Sequence, residues 1–214
     1  MLNLDELRHE YMRAGLDEKD VLPDPLEQFA LWFAEAMKAG LPLPNAMSLA
    51  SVARGGRPSQ RMVLLKGVDH GGFAFYTHYD SRKARELAAN AQAALLFHWP
   101  QLERQVRIEG VATRISEKES DEYFATRPLG SRHAAIASPQ SEILANRAAL
   151  EARYDEAARL HGDTPARPAY WGGYRVIPDE IEFWQGRENR LHDRVVYRKS
   201  GKPGDGWTIL RLAP

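Results

Sequence analysis

The sequence predicts a mainly β protein with flanking α-helices, built as an antiparallel sheet or a closed barrel with the helices packed outside. Three observations carry this. Short apolar, strand-like segments recur in both halves of the chain. Tight turns such as GGRPS and DHGG join several of them. Helical stretches interrupt the strands instead of alternating with them, which argues against a doubly wound parallel sheet. No GxGxxG follows a strand and no Walker loop is present, so neither a Rossmann nor a P-loop nucleotide site is expected.

In chain order, the first helix is expected over PLEQFALWFAEAMKAG, with Asp24 as N-cap, Pro25 at the first helical position and Gly40 as terminator. Leu26, Phe29, Phe33 and Met37 recur at helical spacing and predict its buried stripe. Strands are expected over 46–53, 61–68, 72–79, 93–99 and 104–115, with a short helix, SRKARELAAN, between the third and fourth. Ser116 opens the next helix with Glu119 completing a capping box, and a further helix is expected from Ser138-Pro139 to about Leu160. After the HGDTPARP loop come YWGGYRVI, EIEFWQ, RLHDRVVYR and GWTILRL, all read as strands. Glu180 and Glu182 alternate on one of them, the pattern of a solvated face.

The 214 residues suit a single domain large enough to bury a core. Lys plus Arg and Asp plus Glu each number 29, so the formal net charge is zero. A general binder of nucleic acid or anionic membrane carries a basic excess, and neither partner is expected here. The absence of cysteine excludes disulfides, thiol nucleophiles and cysteine-ligated metals. The N-terminal stretch lacks a signal-peptide core, and no apolar run approaches the ~18 residues of a membrane span, so a cytoplasmic location is expected. The histidines are scattered, HExxH and GxSxG are missing, and no metal site is expected.

Within this neutral balance the cations cluster. WQGRENRLHDR places three arginines and a histidine between Trp184 and Arg194. A strand over 190–197 would put Arg190, His192 and Arg194 on one face. SRKARELAAN sets Arg82 and Lys83 in a first helical turn, where the dipole prefers anions by roughly 0.3–1 kcal/mol each; a docked anion would relieve the conflict. RPSQRMVLLKG brings Arg57, Arg61 and Lys66, although strict alternation separates Arg61 from Lys66 unless the strand bends or bulges. YFATRPLGS stacks Tyr123 over Arg127 before Pro128, with Ser131 just beyond, and all three side chains donate to phosphate oxygens. Each grouping alone fits an ordinary solvated surface. Four of them, each with hydroxyl, amide or aromatic neighbours, point to small phosphorylated ligands.

Taken together, RMVLLKG, FYTHYDSRKAREL, ERQVRIEG, YFATRP, SPQS and WQGRENRLHDR resemble the pyridoxamine 5′-phosphate oxidase family from about residue 8 to the final RLAP. The resemblance implies an antiparallel, Greek-key-like FMN-binding split β-barrel, a single domain over 1–214. Residues 1–20 would be a mobile N-terminal segment, and 165–214 the strands that complete the site. It implies FMN held by Arg61, Met62, Val63, Leu64, Leu65 and Lys66, with Tyr76, Thr77, Arg82 and Lys83. Gln105, Gln140, Ser141, Trp184 and Arg194 would complete the cofactor set. The substrate's phosphate would meet Lys66, Tyr123, Arg127 and Ser131, with Arg190 and His192 as the catalytic pair beside the flavin. Arg8 and Tyr11 match positions that close over bound substrate. The chain departs from the family pattern after Ser131, where RHAAIAS stands.

By the same resemblance the protein is an FMN-dependent oxidase. It would convert pyridoxamine or pyridoxine 5′-phosphate to pyridoxal 5′-phosphate, with O2 as acceptor and H2O2 as product, and work as a homodimer with its site at the subunit interface. The alternatives are another split-barrel flavin reductase and a non-catalytic binder of FMN or pyridoxal phosphate.

Overall fold

The computed structural model describes residues 15–200 and 206–214, so Arg8 and Tyr11 lie outside the described residues. Its strands are β1 (Ala46–Val52), β2 (Pro58–Leu64), β3 (Gly67–Asp69), β4 (Gly72–His78), β5 (Gln92–Trp99), β6 (Arg104–Arg114), β7 (Trp171–Gln185), β8 (Asp193–Lys199) and β9 (Trp207–Arg211). The helices are α1 (Pro25–Lys38), α2 (Arg82–Ala89), α3 (Glu117–Thr126), α4 (Leu129–Ala137) and α5 (Arg147–His161). All nine strands belong to one sheet, ordered β2-β1-β5-β6-β7-β4-β3, with β8 joined to β7 and β9 to β8. The β3–β4, β4–β7, β7–β8 and β8–β9 pairs are antiparallel. The expected mainly β architecture is therefore found.

The chain divides into two compact units, the first of Met1–Ser48, Ala94–Gly110 and Pro178–Pro214, the second of Leu49–Ala93 and Val111–Ile177. In the first unit α1 starts as its sequence dictates. Asp24 Oδ1 accepts from Leu26 N at 2.7 Å, Pro25 fills the first turn, and Gly40 follows the C-cap with φ +67°. The buried stripe differs from expectation: it runs through Pro25, Gln28, Phe29, Trp32 and Ala36, while Met37 is 55% exposed. Both registers fit a 3.6-residue period. The observed one turns the Trp32 ring edge-on to Phe183 at 5.1 Å and sets Phe29 against Phe97 at 5.0 Å. Burying such rings contributes about 1.5–3 kcal/mol each.

Two further expectations in this unit are corrected. Residues 190–192 are not strand: Asn189 and Arg190 adopt left-handed φ of 57° and 61°, and the backbone amide of Leu191 closes a turn on Glu188 O at 3.1 Å. Arg190 and His192 thus sit in a turn, and of the expected face Arg194 alone lies on β8. Glu182 is not solvated but 4% exposed, because Arg194 and Arg107 neutralise it.

The second unit carries α2, α3, α4, α5, β2, β3 and β4. The expected strand over 61–68 breaks at Leu65-Lys66 into β2 and β3. The expected pair YWGGYRVI and EIEFWQ is instead the single strand β7. Pro178 interrupts nothing, because β7 pairs with β4 through Val176 and with β8 from Glu180, so no donor is needed at 178. Ser116 Oγ accepts from Glu119 N at 3.2 Å, but the Glu119 carboxylate turns to Arg175, leaving half a capping box.

The helix expected from Ser138 begins only at Arg147, where Asn146 Oδ1 accepts from Ala149 N at 2.9 Å. Pro139 and the left-handed Ser141 (φ 79°) keep 138–146 out of helix. Residues 132–137 of RHAAIAS, by contrast, are helical and form most of α4.

Candidate functional site

A cavity of about 520 Å³ opens in the second unit, inside the size range of small-ligand sites. It is lined by Arg61, Met62, Val63, Leu64 and Lys66 from the β2–β3 stretch, and by Tyr76, Thr77 and Lys83 from β4 and α2. Tyr123, Thr126, Arg127, Pro128 and Ser131 from the α3–α4 junction, with Gln140 and Trp171, close it. The break at Leu65-Lys66 supplies the bend that alternation required: Arg61 and Lys66 both reach the cavity.

One end centres on Lys83. Its Nζ contacts Gln140 Oε1 at 2.8 Å, Thr77 Oγ1 at 3.1 Å and Ser81 Oγ at 3.5 Å, all neutral groups. Burial, reinforced by the positive charge of Arg61, pulls the Lys83 ammonium down to about 8. Arg82 contributes differently: its backbone N–H donates to Ser141 Oγ at 3.1 Å, and its Nε to Glu86 Oε1 at 2.8 Å. The positive first turn of α2 is thus balanced by a carboxylate one turn on. Burial would raise Glu86, but hydrogen bonds from Ser51, Ser59, Arg82 and Arg61 outweigh it and bring the carboxyl to about 2.

The other end is aromatic and cationic. The Tyr76 and Tyr123 rings stack at 3.9 Å and 14°, and both lie nearly parallel to Trp171, at 5.5 Å and 6.2 Å. Such a wall suits a flat ring or presents a flat face to one. Burial, with Glu119 next, pushes the Tyr76 hydroxyl up to about 12, so it stays a neutral donor. Arg127 lies over Trp171 at 4.6 Å, and its buried Nη1 has no hydrogen-bond partner. Burial lowers its proton affinity against the opposing influence of Tyr123. Among the described residues, Lys83 and Arg127 are the lysine and arginine whose pKa is lowered, and both line this cavity.

Gly173 lets Tyr76 into place: a Cβ there would stand 2.7 Å from Ile115 Cδ1 and 2.8 Å from the Tyr76 ring. Of the expected residues of this unit, Leu65 is buried and Arg82 and Ser141 stand behind the cavity at the start of α2; none of the three lines it.

Gln105, Trp184, Arg190, His192 and Arg194 belong to the first unit. There Trp184 and His192 lie 4.6 Å apart, and the Arg187 N–H donates to His192 Nδ1 at 3.1 Å, which leaves the ring proton on Nε2 in the neutral form. Burial and the neighbouring Arg190 lower the His192 pKa, while Asp193 opposes them. Arg190 is exposed, with no ion-pair or hydrogen-bond partner among the described residues. Arg194 forms a two-pronged pair with Glu182 at 2.9 and 2.8 Å and donates to Ala213 O at 3.0 Å.

Sequence reasoning missed Glu86, Trp171 and Glu182. Glu86 carried a signal, its i,i+4 spacing from Arg82. Trp171 carried none, since a tryptophan before two glycines reads as core.

Comparison with known proteins bears on this geometry. Residues 33–161 match the family described as "Pyridoxamine 5'-phosphate oxidase", and residues 171–214 match "Pyridoxine 5'-phosphate oxidase C-terminal dimerisation region". The chain is 57% identical over 214 residues, all of both chains, to the pyridoxine/pyridoxamine 5′-phosphate oxidase of Burkholderia cenocepacia (strain HI2424). It is 58% identical over the same span to that of Cupriavidus taiwanensis. Among solved structures it resembles PhzG from Burkholderia lata 383, in complex with tetrahydrophenazine-1-carboxylic acid. The TM-score is 0.89 at 32% identity, covering 96% of this chain and 100% of that one. The fold is also that of a pyridoxamine 5′-phosphate oxidase-related, FMN binding protein of Nostoc punctiforme PCC 73102. There the TM-score is 0.72 at 17% identity, over 89% and 98% of the chains.

Proposed function

The chain belongs to the pyridoxamine 5′-phosphate oxidase family, and from that premise we propose that it oxidises pyridoxamine or pyridoxine 5′-phosphate to pyridoxal 5′-phosphate, using FMN and O2. One observation carries the reading: a single cavity holds two half-buried basic groups, Lys83 and Arg127, that no carboxylate among the described residues pairs with. Each suits an anion, and a cofactor and a substrate that both end in phosphate supply two.

In this reading Lys83, Thr77 and Gln140 take the FMN phosphate, with Arg61 adding positive charge behind them. Arg127 offers its unpartnered Nη1, and Tyr123 and Ser131 their hydroxyls, to the substrate's phosphate. Lys66 serves both. Tyr76 remains protonated and helps pack the ring between them. FMN would supply the two-electron acceptor and return the electrons to O2, giving H2O2. The substrate's C4′ would give up a hydride to that acceptor. Pyridoxine phosphate then loses the hydroxyl proton to become the aldehyde, and the imine from pyridoxamine phosphate is hydrolysed to the aldehyde and ammonia.

Arg190 orients the substrate and His192, neutral at pH 7, accepts or relays a proton; positioning matters more than a strong base. The match of 171–214 to a dimerisation region supports a homodimer, and we place the complete site at its interface. No helix among the described residues is long and apolar enough to cross a membrane, and we propose a cytoplasmic enzyme.

The purified protein should show a flavin spectrum that pyridoxamine 5′-phosphate bleaches without air, with pyridoxal 5′-phosphate appearing. Bleaching by NADPH alone would favour a flavin reductase, and bound flavin with no vitamer turnover a carrier. The similarity to PhzG favours a second reading, oxidation of a carboxylated polycyclic substrate. Turnover of tetrahydrophenazine-1-carboxylic acid in preference to the B6 phosphates would select it.

A further inference from the structure

Arg61 lines the cavity, yet its guanidinium is already occupied. Nη1 donates to Leu49 O at 3.1 Å and Ser51 Oγ at 2.6 Å, and Nη2 to Ser59 Oγ and to Glu86 Oε2 at 3.2 Å. These two nitrogens carry four N–H groups, and all four have acceptors. Glu86 is only 7% exposed. Its Oε2 also accepts from the Ser51 hydroxyl at 2.6 Å and from the Ser59 hydroxyl, and its Oε1 accepts from Arg82 Nε at 2.8 Å. The carboxylate therefore ties α2 to the strand residues 51 and 59, and ties both arginines to that frame.

A buried negative charge beside an anion-binding end is unfavourable by Coulomb's law alone. Its presence needs a compensating role. We propose that Glu86 is a positioning residue for the phosphate end of the cavity: it holds Arg61 and Arg82 in fixed places, so that Lys83, bounded by neutral groups, meets the ligand's phosphate directly. The proposal rests on the reading above that the FMN phosphate binds at this end. It makes the placement of the charges matter more than their sum.

The two views predict opposite signs for Glu86→Gln. If net charge ruled, removing one negative charge would tighten phosphate binding. If position rules, an amide cannot accept from four donors, the arginines loosen, and binding weakens. The experiment titrates the apoprotein with FMN and with riboflavin, which lacks the phosphate, following flavin fluorescence. Wild type should bind FMN more tightly than riboflavin. Glu86→Gln should lose about tenfold in FMN affinity, the effect of one charge-assisted hydrogen bond, with riboflavin unchanged. Ser59→Ala keeps every charge and removes one strut; it should shift FMN alone by about threefold, and it serves if the first variant does not fold.

FMN affinity equal to or above wild type in either variant overturns the proposal. So does an equal loss for both ligands, which marks a merely structural role. A wild-type protein that does not prefer FMN to riboflavin overturns the phosphate reading itself, and this inference with it.

Discussion

Replacing Arg127 by Met separates what that side chain costs the empty protein from what it gives the substrate. Its buried Nη1 lacks an acceptor, and such a group costs about 1–3 kcal/mol. Against that stands its position over Trp171 at 4.6 Å, a cation–π contact that contributes about 0.5–2 kcal/mol. Methionine keeps most of the apolar stem and brings no donor, so the balance falls near zero or in its favour, by about 1 kcal/mol. In a chain of this length that is a rise of about 2–4 °C in Tm.

With phosphorylated substrate the sign reverses. One or two charge-assisted hydrogen bonds at about 1.5–3 kcal/mol each are lost, so KM should rise by about ten- to a hundredfold. Unphosphorylated pyridoxine should be turned over as poorly by the variant as by wild type. The assay pairs thermal scans of the apoprotein with steady-state kinetics on both substrates. A Tm several degrees below wild type, or an equal kinetic loss on both substrates, would refute the reasoning.

Four further outcomes are expected. Because Lys83 is drawn down to about 8 and a bound phosphate would raise it again, phosphate-ligand affinity should be level below that pH and fall above it. Calorimetric titration near pH 8 in buffers of different ionisation heat should show proton uptake, and no uptake would reject the link. The apoprotein's own stability gains from this group as pH rises from about 8 towards the ordinary lysine value of 10.5, since there the unfolded chain binds the extra proton. Glu182→Ala leaves Arg194 without a carboxylate, while Arg107 keeps Glu109; after discounting for partial exposure, the loss should be about 2–3 kcal/mol, read by urea denaturation. Gly173→Ala drives a methyl into Ile115 and Tyr76 and should cost about 1–3 kcal/mol, with a weakened near-ultraviolet dichroism from the Tyr76–Tyr123 stack.

What the sequence revealed was local. Asp24, Pro25 and Gly40 bound α1 through contacts within a few residues, and Ser116 caps α3 the same way. Period alone could not choose between Trp32 and Phe33 as the buried ring, because that depends on Phe183, which lies far along the chain. Nor could alternation find the break at Leu65-Lys66, since the consecutive apolar residues Met62 to Leu65 leading into it carry no alternation to interrupt. Pro178 read as a boundary because the exchange of β4 for β8 as partner, which frees that position from donating, is a property of the sheet. Glu182 read as solvated because its two arginines come from other strands.

The cations tell the same story at the scale of the site. Clusters of arginine were legible, but which arginines had charge to spare was not. Arg175 is held by Asp69 and Glu119, Arg194 and Arg107 by Glu182, and Arg61 and Arg82 by Glu86. These pairings explain how a chain with no net charge can still present an anion site: carboxylates absorb most of the buried guanidinium charge. Among the cations that remain, Lys83 and Arg127 stand in one cavity, Arg127 against its aromatic wall. A neutral protein can thus bind small phosphates without attracting long polyanions, because the field of the compensated arginines fades within a few ångströms while the uncompensated pair acts at contact. Duplex DNA should accordingly fail to compete with a phosphorylated small molecule for this cavity even at low salt.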